Sequence, residues 1–456
     1  MTEWRRLSTT RLACSQTPVV DYVRLGLNGC GHEADIAIVY IGETGSLSFL
    51  ARVRKTVMDS LGHSSFTSDS AQNSIVDRPM IPRLQFTAAG PLTPPPGVAA
   101  VLIEMFFANV NSVNYVLDRE EMNDLVSVVY DGGLLTATGA RSRDIAFINA
   151  VCAVGTFFAI QSEEMAGDGM RYFDAARSGM EDVFESADFW SVRLLLLFSL
   201  YMQYASKRNS SWTYIGLAIR VAESLGLHRI YSTELPLEKL RGDENYYRRR
   251  RLVFWTLYSL DRFTGCSLGR PLAIQDEDCN DPVLSTVQTD DPLTDCRCSA
   301  EQLATTHQIH RLAAKVRLHV IIGHIVKLVY LKRMISRDVA EKLSAELKTW
   351  WNSLPACASL DNGTDAAAVQ LHMAYLHAVI LLTRPFLQWV VEASTEEITG
   401  DENCRCNKRR ASNKSSVKRK MLRYAWACVL VAERTVALAH RMQRVGSLQR
   451  NDAALM

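Results

Sequence analysis

Carboxylates and cysteines at metal-ligand spacing would be the first sign of chemistry in this chain. Asp276–Asp281 carries four acids, but a calcium loop needs Gly at its sixth position and Glu at its twelfth, where this sequence has Asp281 and Val287. Each of the closest cysteine pairs has a single residue between its members, where zinc sites usually have about two to four: Cys296 with Cys298, and Cys404 with Cys406. These patterns predict polar loops rather than metal centres, and we expect no cofactor in this chain.

Asp290–Asp295 is superficially similar to the aspartate-rich magnesium motif of all-α isoprenoid synthases. That motif works on a helix, which makes its carboxylates converge on metal-bound diphosphate, and Pro292 disfavours a helix here. The sequence also has no Gly-x4-Gly-Lys phosphate loop and no Gly-x-Gly-x-x-Gly dinucleotide motif. We therefore predict that the chain is not an enzyme, and an all-α magnesium-dependent enzyme is the least favoured class.

The composition is that of a large globular protein without a strong charge bias. The chain has 456 residues, 48% of them hydrophobic, and a formal net charge of +2. A nucleic-acid contact would therefore need a local basic patch. No signal sequence is evident, and the continuous apolar run Leu194–Met202 is far shorter than the ~20 residues of a membrane span. We expect an intracellular chain with reduced thiols and no membrane partner.

Helical periodicity dominates the chain after residue 90. Residues 1–90 are rich in Gly, Ser and Thr and predict an irregular, partly disordered segment, which the proline-rich run Gly90–Gly97 separates from the rest. Residues 91–442 predict one all-helical domain with an acidic loop at 276–295 and a basic loop at 404–420, followed by a tail at 443–456. The predicted fold class is all-α.

Four consecutive arginines, Arg248–Arg251, lead directly into an apolar helix predicted over Asn245–Phe263. Positive charge is disfavoured in the first turns of a helix, so these side chains should be solvated or paired with Asp243, Glu244 or the acidic loop that follows. Asp261 and Arg262 lie on the apolar part of the helix and should be partly buried and hydrogen-bonded. The Gly and Pro of Leu268–Pro271 should end the helix. These features favour a structural element over a surface that reads DNA.

The same segment resembles the signature of the fungal-specific transcription factor regulatory domain, the middle homology region of fungal zinc-cluster regulators. Similar stretches occur in the family's order along the chain: Tyr40–Phe49, Leu92–Pro96, Phe106–Asp118, Trp212–Arg229, Arg248–Asp278, Trp350–Pro355 and Leu371–Phe386. The resemblance spans roughly residues 39–442 and implies an all-helical domain that controls transcription activation, sometimes by sensing a small molecule. The signature residues that it marks as regulatory are Arg248, Arg249, Arg250, Arg251, Trp255, Asp261, Arg262, Gly269, Arg270, Pro271, Asp276 and Asp278.

One departure from the family concerns DNA binding. Members usually carry an N-terminal zinc cluster of six cysteines, whereas Cys14 and Cys30 are the only cysteines here before Cys152. Either an upstream part is missing, which the position of Tyr40–Phe49 so near Met1 favours, or the chain reaches DNA through a partner. Zinc is expected only if an upstream six-cysteine cluster exists.

The resemblance implies a nuclear transcription regulator of the fungal zinc-cluster type that controls a metabolic or biosynthetic gene set. Expected partners are other transcription regulators or coactivators, in a homodimer or a heterodimer, with DNA contacted indirectly or through a missing module and with a small molecule as effector. The alternative is a helical protein-interaction or small-molecule-binding protein without a direct transcriptional role.

The basic segment at 408–420 holds two clusters of three bases with seven residues between them. This spacing suits a bipartite nuclear import signal, and a solvated insertion explains it almost as well. The residues of the two clusters are Lys408, Arg409, Arg410, Lys418, Arg419 and Lys420.

Four aromatic residues are candidates for an effector pocket between helices: Trp212, Tyr214, Trp255 and Tyr258. Aromatic side chains at helical spacing more often form plain core. The sequence alone leaves both interpretations open.

Overall fold

The computed structural model describes residues 12–13, 21–26, 36–68, 93–130, 139–159, 168–229, 244–281, 300–331, 334–335, 337–360, 366–399 and 408–444. Helices account for most of these residues, which confirms the predicted all-α class. The acidic segment 282–295, both cysteine pairs and the predicted tail from 445 onward lie outside the described residues.

Three short strands occur in the described part of residues 1–90, the region that was expected to be irregular, and they take part in two antiparallel ladders. Strand β1 (Leu12–Ala13) pairs with β4 (Met334–Ile335), and β2 (Asp21–Gly26) pairs with β3 (Ile36–Ile41). In the second ladder Asp21 lies opposite Ile41 and Gly26 lies opposite Ile36. The β-branched and aromatic residues of β3 favour a strand, a local signal that the expectation of an irregular segment overlooked.

Fourteen helices are built from the described residues, and their bounds are as follows. They are α1 (Ser46–Leu61), α2 (Ser65–Ser68), α3 (Pro96–Phe106), α4 (Arg119–Tyr130), α5 (Gly139–Gly155), α6 (Gly169–Ala176), α7 (Met180–Ser186), α8 (Phe189–Tyr204), α9 (Arg208–Ser224), α10 (Glu244–Leu268), α11 (Ala300–Ile325), α12 (Arg337–Asn352), α13 (Ala366–Thr399) and α14 (Lys408–Arg444). Single π turns extend α3 and α11 at Phe107–Asn111 and Val326–Tyr330, and 3-10 turns occur at Thr156–Phe158, Arg177–Gly179, Asp276–Asp278 and Ala356–Ala358.

The helices surround two hydrophobic clusters that meet along α10 and α11. The first cluster is formed largely by α3, α5, α8, α9 and the middle of α10, and the second by α11, α12, α13 and the start of the packed face of α14. Helix α10 gives Leu257 to the first cluster and Cys266 to the second, while α11 gives Val316 to the first and Leu318 to the second. Side chains on α10 are therefore placed to connect the two halves of the core.

Helix α13 continues through Pro385, a residue type that ordinarily ends or kinks a helix. A proline inside a helix removes one N–H donor and leaves the carbonyl four residues earlier without its partner. Here that carbonyl, Leu381 O, accepts a hydrogen bond from Tyr330 Oη at 2.7 Å. A side chain from another helix thus compensates for the proline, and sequence spacing gives no sign of it.

The prediction of a basic loop at 404–420 is wrong from residue 408 onward, where α14 begins. Lys and Arg are good helix formers, and Lys408–Arg444 contains neither Gly nor Pro. The six bases proposed for nuclear import therefore lie on the first turns of a long helix.

One stretch among the described helices, Ala367–Val391 of α13, is long and apolar enough to cross a membrane by length and composition. Core helices satisfy the same criterion, so it is weak evidence for a span. Leu371, Leu381 and Phe386 of this stretch are buried in the second cluster, and Arg384 is only 3% exposed.

Candidate functional site

The first two signature arginines bind the same carboxylate. Arg248 Nη2 and Arg249 Nε each donate to Asp118 Oδ2 at 2.7 Å. Asp118 precedes α4, and its Oδ1 accepts from Tyr115 Oη at 2.9 Å. These contacts tie the start of α10 to the segment between α3 and α4, and each guanidinium is partly buried.

The other two arginines bind different parts of the chain. Arg250 Nη2 donates to the carbonyl of Leu225 at 2.6 Å, at the C-terminal end of α9 where unpaired carbonyls favour a cation. Arg251 forms a two-pronged ion pair with Asp281, with both N–O distances at 2.7 Å. Trp255 Nε1 donates to the same carboxylate at 2.7 Å. Arg251 is thus paired with the acidic segment that follows the helix, as expected, whereas the other three arginines bind partners that the sequence did not suggest. All four act as braces within the molecule.

Farther along α10, Asp261 and Arg262 are each about 1% exposed, more deeply buried than the sequence suggests. Arg262 Nη1 donates to Asp261 Oδ2 at 3.0 Å, and its Nη2 donates to Asp276 Oδ1 at 2.6 Å. Tyr258 Oη donates to the same oxygen of Asp276 at 2.6 Å, and the Arg262 guanidinium lies 3.7 Å from the centre of the Tyr258 ring. We call Tyr258, Asp261, Arg262 and Asp276 the buried network.

Asp261 also holds the chain that follows the helix. Its carboxylate accepts the backbone N–H groups of Ala273 and Ile274 at 3.0–3.1 Å. Burial raises the pKa of Asp261, against the opposing effects of Arg262 and of these two backbone donors. The unfavourable burial of this carboxylate must therefore be compensated by its partners, and these partners fix the path of residues 270–278.

The end of α10 touches the segment Tyr40–Phe49, so two of the family-like stretches are in direct contact. Gly269 has a φ of +67°, and the backbone N–H of Gly42 donates to Leu268 O at 3.0 Å. A Cβ on Gly269 would lie 2.3 Å from Gly42 O, so both positions need glycine for this approach. Ile41 and Leu268 are buried together beside Leu47 and Trp212.

Two arginines hold the backbone of this N-terminal segment. Arg270 donates to the carbonyl of Tyr40 at 3.4 Å, bonds Asn209 and lies over the ring of Trp212 at 4.6 Å. Arg384 of α13 donates to the carbonyl of Glu43 at 3.1 Å and to Tyr330 Oη at 2.6 Å. Residues 40–61 are thereby attached both to the end of α10 and to α13.

The remaining signature positions are more peripheral. Pro271 and Asp278 are exposed, and the backbone N–H of Asp278 donates to Gln275 O within the 3-10 turn. Glu277 forms an ion pair with Lys327, although the sequence did not single it out. Asp118 and Arg384 were also missed, because no sequence spacing relates them to α10.

The four aromatic residues proposed for an effector pocket have separate surroundings. Trp255 and Tyr258 are buried on α10 and bonded to Asp281 and Asp276. Tyr214 packs edge-on against Phe198 at 5.5 Å in the first core cluster, whereas Trp212 is covered by Arg270. This arrangement supports core and bracing roles, so a ligand for these residues stays a prediction.

One nucleophile pattern lies in this region: Gly265–Gly269 reads Gly-Cys-Ser-Leu-Gly. A nucleophile elbow places its serine on a sharp turn between a strand and a helix. Ser267 instead lies on the last turn of α10, and its Oγ donates to Thr264 O at 3.0 Å. The pattern therefore lacks the context for catalysis. Within the described residues, no group of three or more His, Cys, Asp and Glu is placed to hold a metal ion.

Close to the network, His319 of α11 should make stability sensitive to acid. The side chain is 1% exposed, its Nδ1 lies 2.8 Å from Lys315 O, and burial, followed by the charge of Lys315, lowers its pKa to about 3. In the unfolded chain this histidine takes up a proton below a pH of about 6.5, so the unfolded state binds more protons and stability falls as the pH decreases through this window. We expect this residue to lower the free energy of unfolding by roughly 2 kcal/mol between pH 7 and pH 5.

Urea unfolding at several pH values, compared between the natural chain and His319→Gln, measures this contribution. The free energy of unfolding of the variant should fall less between pH 7 and pH 5 than that of the natural chain. His63→Gln is the matched control, because His63 is exposed and should leave the slope unchanged. Equal slopes for the natural chain and His319→Gln would contradict the assignment.

The fold and the bracing charges together define an all-helical domain whose signature charges are paired within the molecule. The family described as "Fungal specific transcription factor domain" matches residues 103–352, more than half of the chain and including all of α10. The chain belongs to this family. The predicted family is thereby confirmed, and the alternative of a helical protein without a transcriptional role is not favoured.

Curated relatives are named as regulators. The chain is 28% identical over 369 residues to "Filamentous growth regulator 27" of Candida albicans, a match covering 77% of this chain and 44% of the relative. It is 29% identical over 313 residues to an uncharacterized transcriptional regulatory protein of Schizosaccharomyces pombe, covering 65% and 37%. It is 26% identical over 306 residues to "Activator of stress genes 1" of Saccharomyces cerevisiae, covering 63% and 31%. The matches thus span less than half of each relative. No solved structure matches the chain.

Proposed function

We propose that this chain is the regulatory part of a nuclear transcription regulator of the fungal zinc-cluster type, and that it acts without catalysing a reaction. The observation that carries the proposal is the family match over residues 103–352. Within this range α10, the signature helix, supplies the arginines that brace the domain. The names of the curated relatives support the same role. DNA is contacted through a zinc module or a partner protein, and other regulators or coactivators are the expected partners.

The signature charges suggest how the domain keeps one regulatory state. The buried network fixes the chain after α10, and Arg270 and Arg384 fix the segment at residues 40–49. The first set joins α10 to the segment directly after it, and the second joins elements more than 200 residues apart in the sequence. Loss of either set would free a surface segment and alter the contact between the two core clusters. Contacts that connect the two core clusters allow both halves of a regulatory domain to change conformation together.

The basic clusters at 408–420 support a nuclear location, because two groups of bases on one segment fit the spacing of an import signal. The distribution of charge elsewhere supports indirect rather than direct DNA contact by α10, since its four arginines already have partners within the molecule. A metabolic or biosynthetic gene set remains the proposed target.

A tethering experiment tests the transcriptional role. The chain is fused to a foreign DNA-binding module upstream of a reporter gene in a fungal host, and reporter output is compared with that of the module alone. We expect output to change at least severalfold, in either direction, because the domain would recruit or restrain coactivators. Chromatin-bound fusion protein is quantified in parallel, so that output is compared at equal occupancy.

Arg262→Met tests whether the effect requires the intact buried network. Arg220→Met is the control variant that should have no effect, since Arg220 is an exposed residue of α9. The effect should disappear with the first variant and persist with the second. Reporter output equal to that of the module alone, at equal occupancy and with a folded fusion, would contradict the proposed function.

A further inference from the structure

Helix α14 has one face packed on the domain and an opposite face that is exposed. On the packed face, Tyr424 stacks on Phe386 with ring centres 4.6 Å apart, and Met421, Ala425 and Cys428 are buried. On the opposite face, Trp426 is 64% exposed and Leu430 is 52% exposed. Large apolar side chains with such exposure on one helix face indicate a contact surface.

The exposed face has the spacing of a helix-to-helix seam. Arg423, Trp426, Leu430 and Glu433 are separated by three, four and three positions, and all four are exposed. This is the alternation of the two inward positions of a heptad, which places residues in one row for contact with a second helix. We call these four residues the α14 seam.

The charges of the seam lack partners on their own helix. Arg423 has no acid three or four residues away in either direction, and Glu433 has no base at those distances. Ion pairs along a helix form at these spacings, so neither charge is neutralised by a helical neighbour. Both charges are therefore available to groups on another molecule.

We propose that the α14 seam binds the same seam of a second copy of this chain, with the two helices antiparallel. Centring the pair on position 428 places Trp426 opposite Leu430 of the second copy and Arg423 opposite its Glu433. The symmetry repeats each contact, so one apolar centre is flanked by two ion pairs. A twofold interface must be self-complementary in this manner.

The order of residue types along the seam is what favours a second copy over another protein. The seam has a base at its N-terminal end and an acid at its C-terminal end, so opposite charges face each other only when the partner helix is antiparallel. In that arrangement the apolar pair of one copy also faces the apolar pair of the other. This inference does not depend on the transcriptional role, because self-association is measured on the purified chain.

Sedimentation velocity over a range of protein concentrations tests the inference on the full chain. We expect a reversible change from the 51.1 kDa chain to a species of twice that mass as concentration rises. Trp426→Ala should weaken the dimer by at least roughly tenfold, because aromatic residues at the centre of an interface dominate its affinity. Circular dichroism should show an unchanged helical fold for this exposed substitution.

Charge exchange makes the test specific for the antiparallel register. Arg423→Glu and Glu433→Arg should each weaken the dimer, because like charges then face one another, and the double variant should restore it. Arg220→Glu changes the net charge as Arg423→Glu does and should leave association unchanged, since Arg220 is an exposed residue of α9. The proposal would be overturned by a chain that stays monomeric, by a dimer that tolerates Trp426→Ala, or by a double variant that is no tighter than the single ones. A monomeric chain would be the result if a different protein occupies the seam.

Discussion

Replacing Arg262 with methionine is expected to lower the free energy of unfolding by about 3–5 kcal/mol. The guanidinium is 1% exposed and bonds both Asp261 and Asp276. Its removal leaves the Asp261 carboxylate buried without its charged partner, while Asp276 retains the Tyr258 hydroxyl and some contact with solvent. The loss should therefore come mainly from the uncompensated charge of Asp261 and only secondarily from lost packing on the Tyr258 ring.

Urea unfolding of a double-mutant cycle separates these contributions. Adding Asp261→Asn to Arg262→Met should recover part of the lost stability, because a neutral amide oxygen still accepts from Ala273 and Ile274 without needing a cation. Arg220→Met should change the free energy of unfolding by no more than about 0.5 kcal/mol, as expected for an exposed site. Similar stabilities for Arg262→Met and Arg220→Met would show that the buried network contributes little.

Sequence periodicity predicted that Asp261 and Arg262 would be partly buried and hydrogen-bonded, because both lie on an otherwise apolar helix. It could not identify Asp118, which lies 130 residues before Arg248, or Arg384, which reaches Glu43 across 341 residues. Such partners are set by how helices pack, and hydrophobic spacing records only which face of a helix is inside. The family-like motifs were recognised one by one, whereas their contact at Gly42 and Gly269 required the fold.

Local rules failed where tertiary contacts override them. Pro385 should end a helix, yet the hydroxyl of Tyr330 binds the carbonyl that the proline leaves free, and α13 continues. In the basic segment the error was the reverse, since charge was taken as a sign of a loop although helix propensity favoured α14. Aromatic content likewise suggested a pocket, whereas Trp255 and Tyr258 use their polar atoms to bind buried acids.

Replacing Gly269 with alanine is expected to detach residues 40–61 from the domain and to destabilise it. An alanine at a φ of +67° costs about 1–2 kcal/mol, and its Cβ would lie 2.3 Å from the carbonyl oxygen of Gly42, so the backbone must also shift. Arg54 of α1 is 8% exposed in the attached state. Limited trypsin digestion should therefore cut α1 at this residue faster in the variant, while Gly97→Ala, where an added Cβ meets nothing within 4 Å, should behave as the natural chain does.

Gly42→Ala distinguishes the contact between the two segments from strain within a single loop. Its Cβ would lie 1.9 Å from Gly269 O, but Gly42 does not have the left-handed backbone of Gly269, so only the close approach is disturbed. If docking of residues 40–61 is what the two glycines permit, both variants should release α1 to trypsin. Release by Gly269→Ala alone would instead assign the effect to strain at the end of α10, and the attachment of the N-terminal segment to the domain would then depend on Arg270 and Arg384.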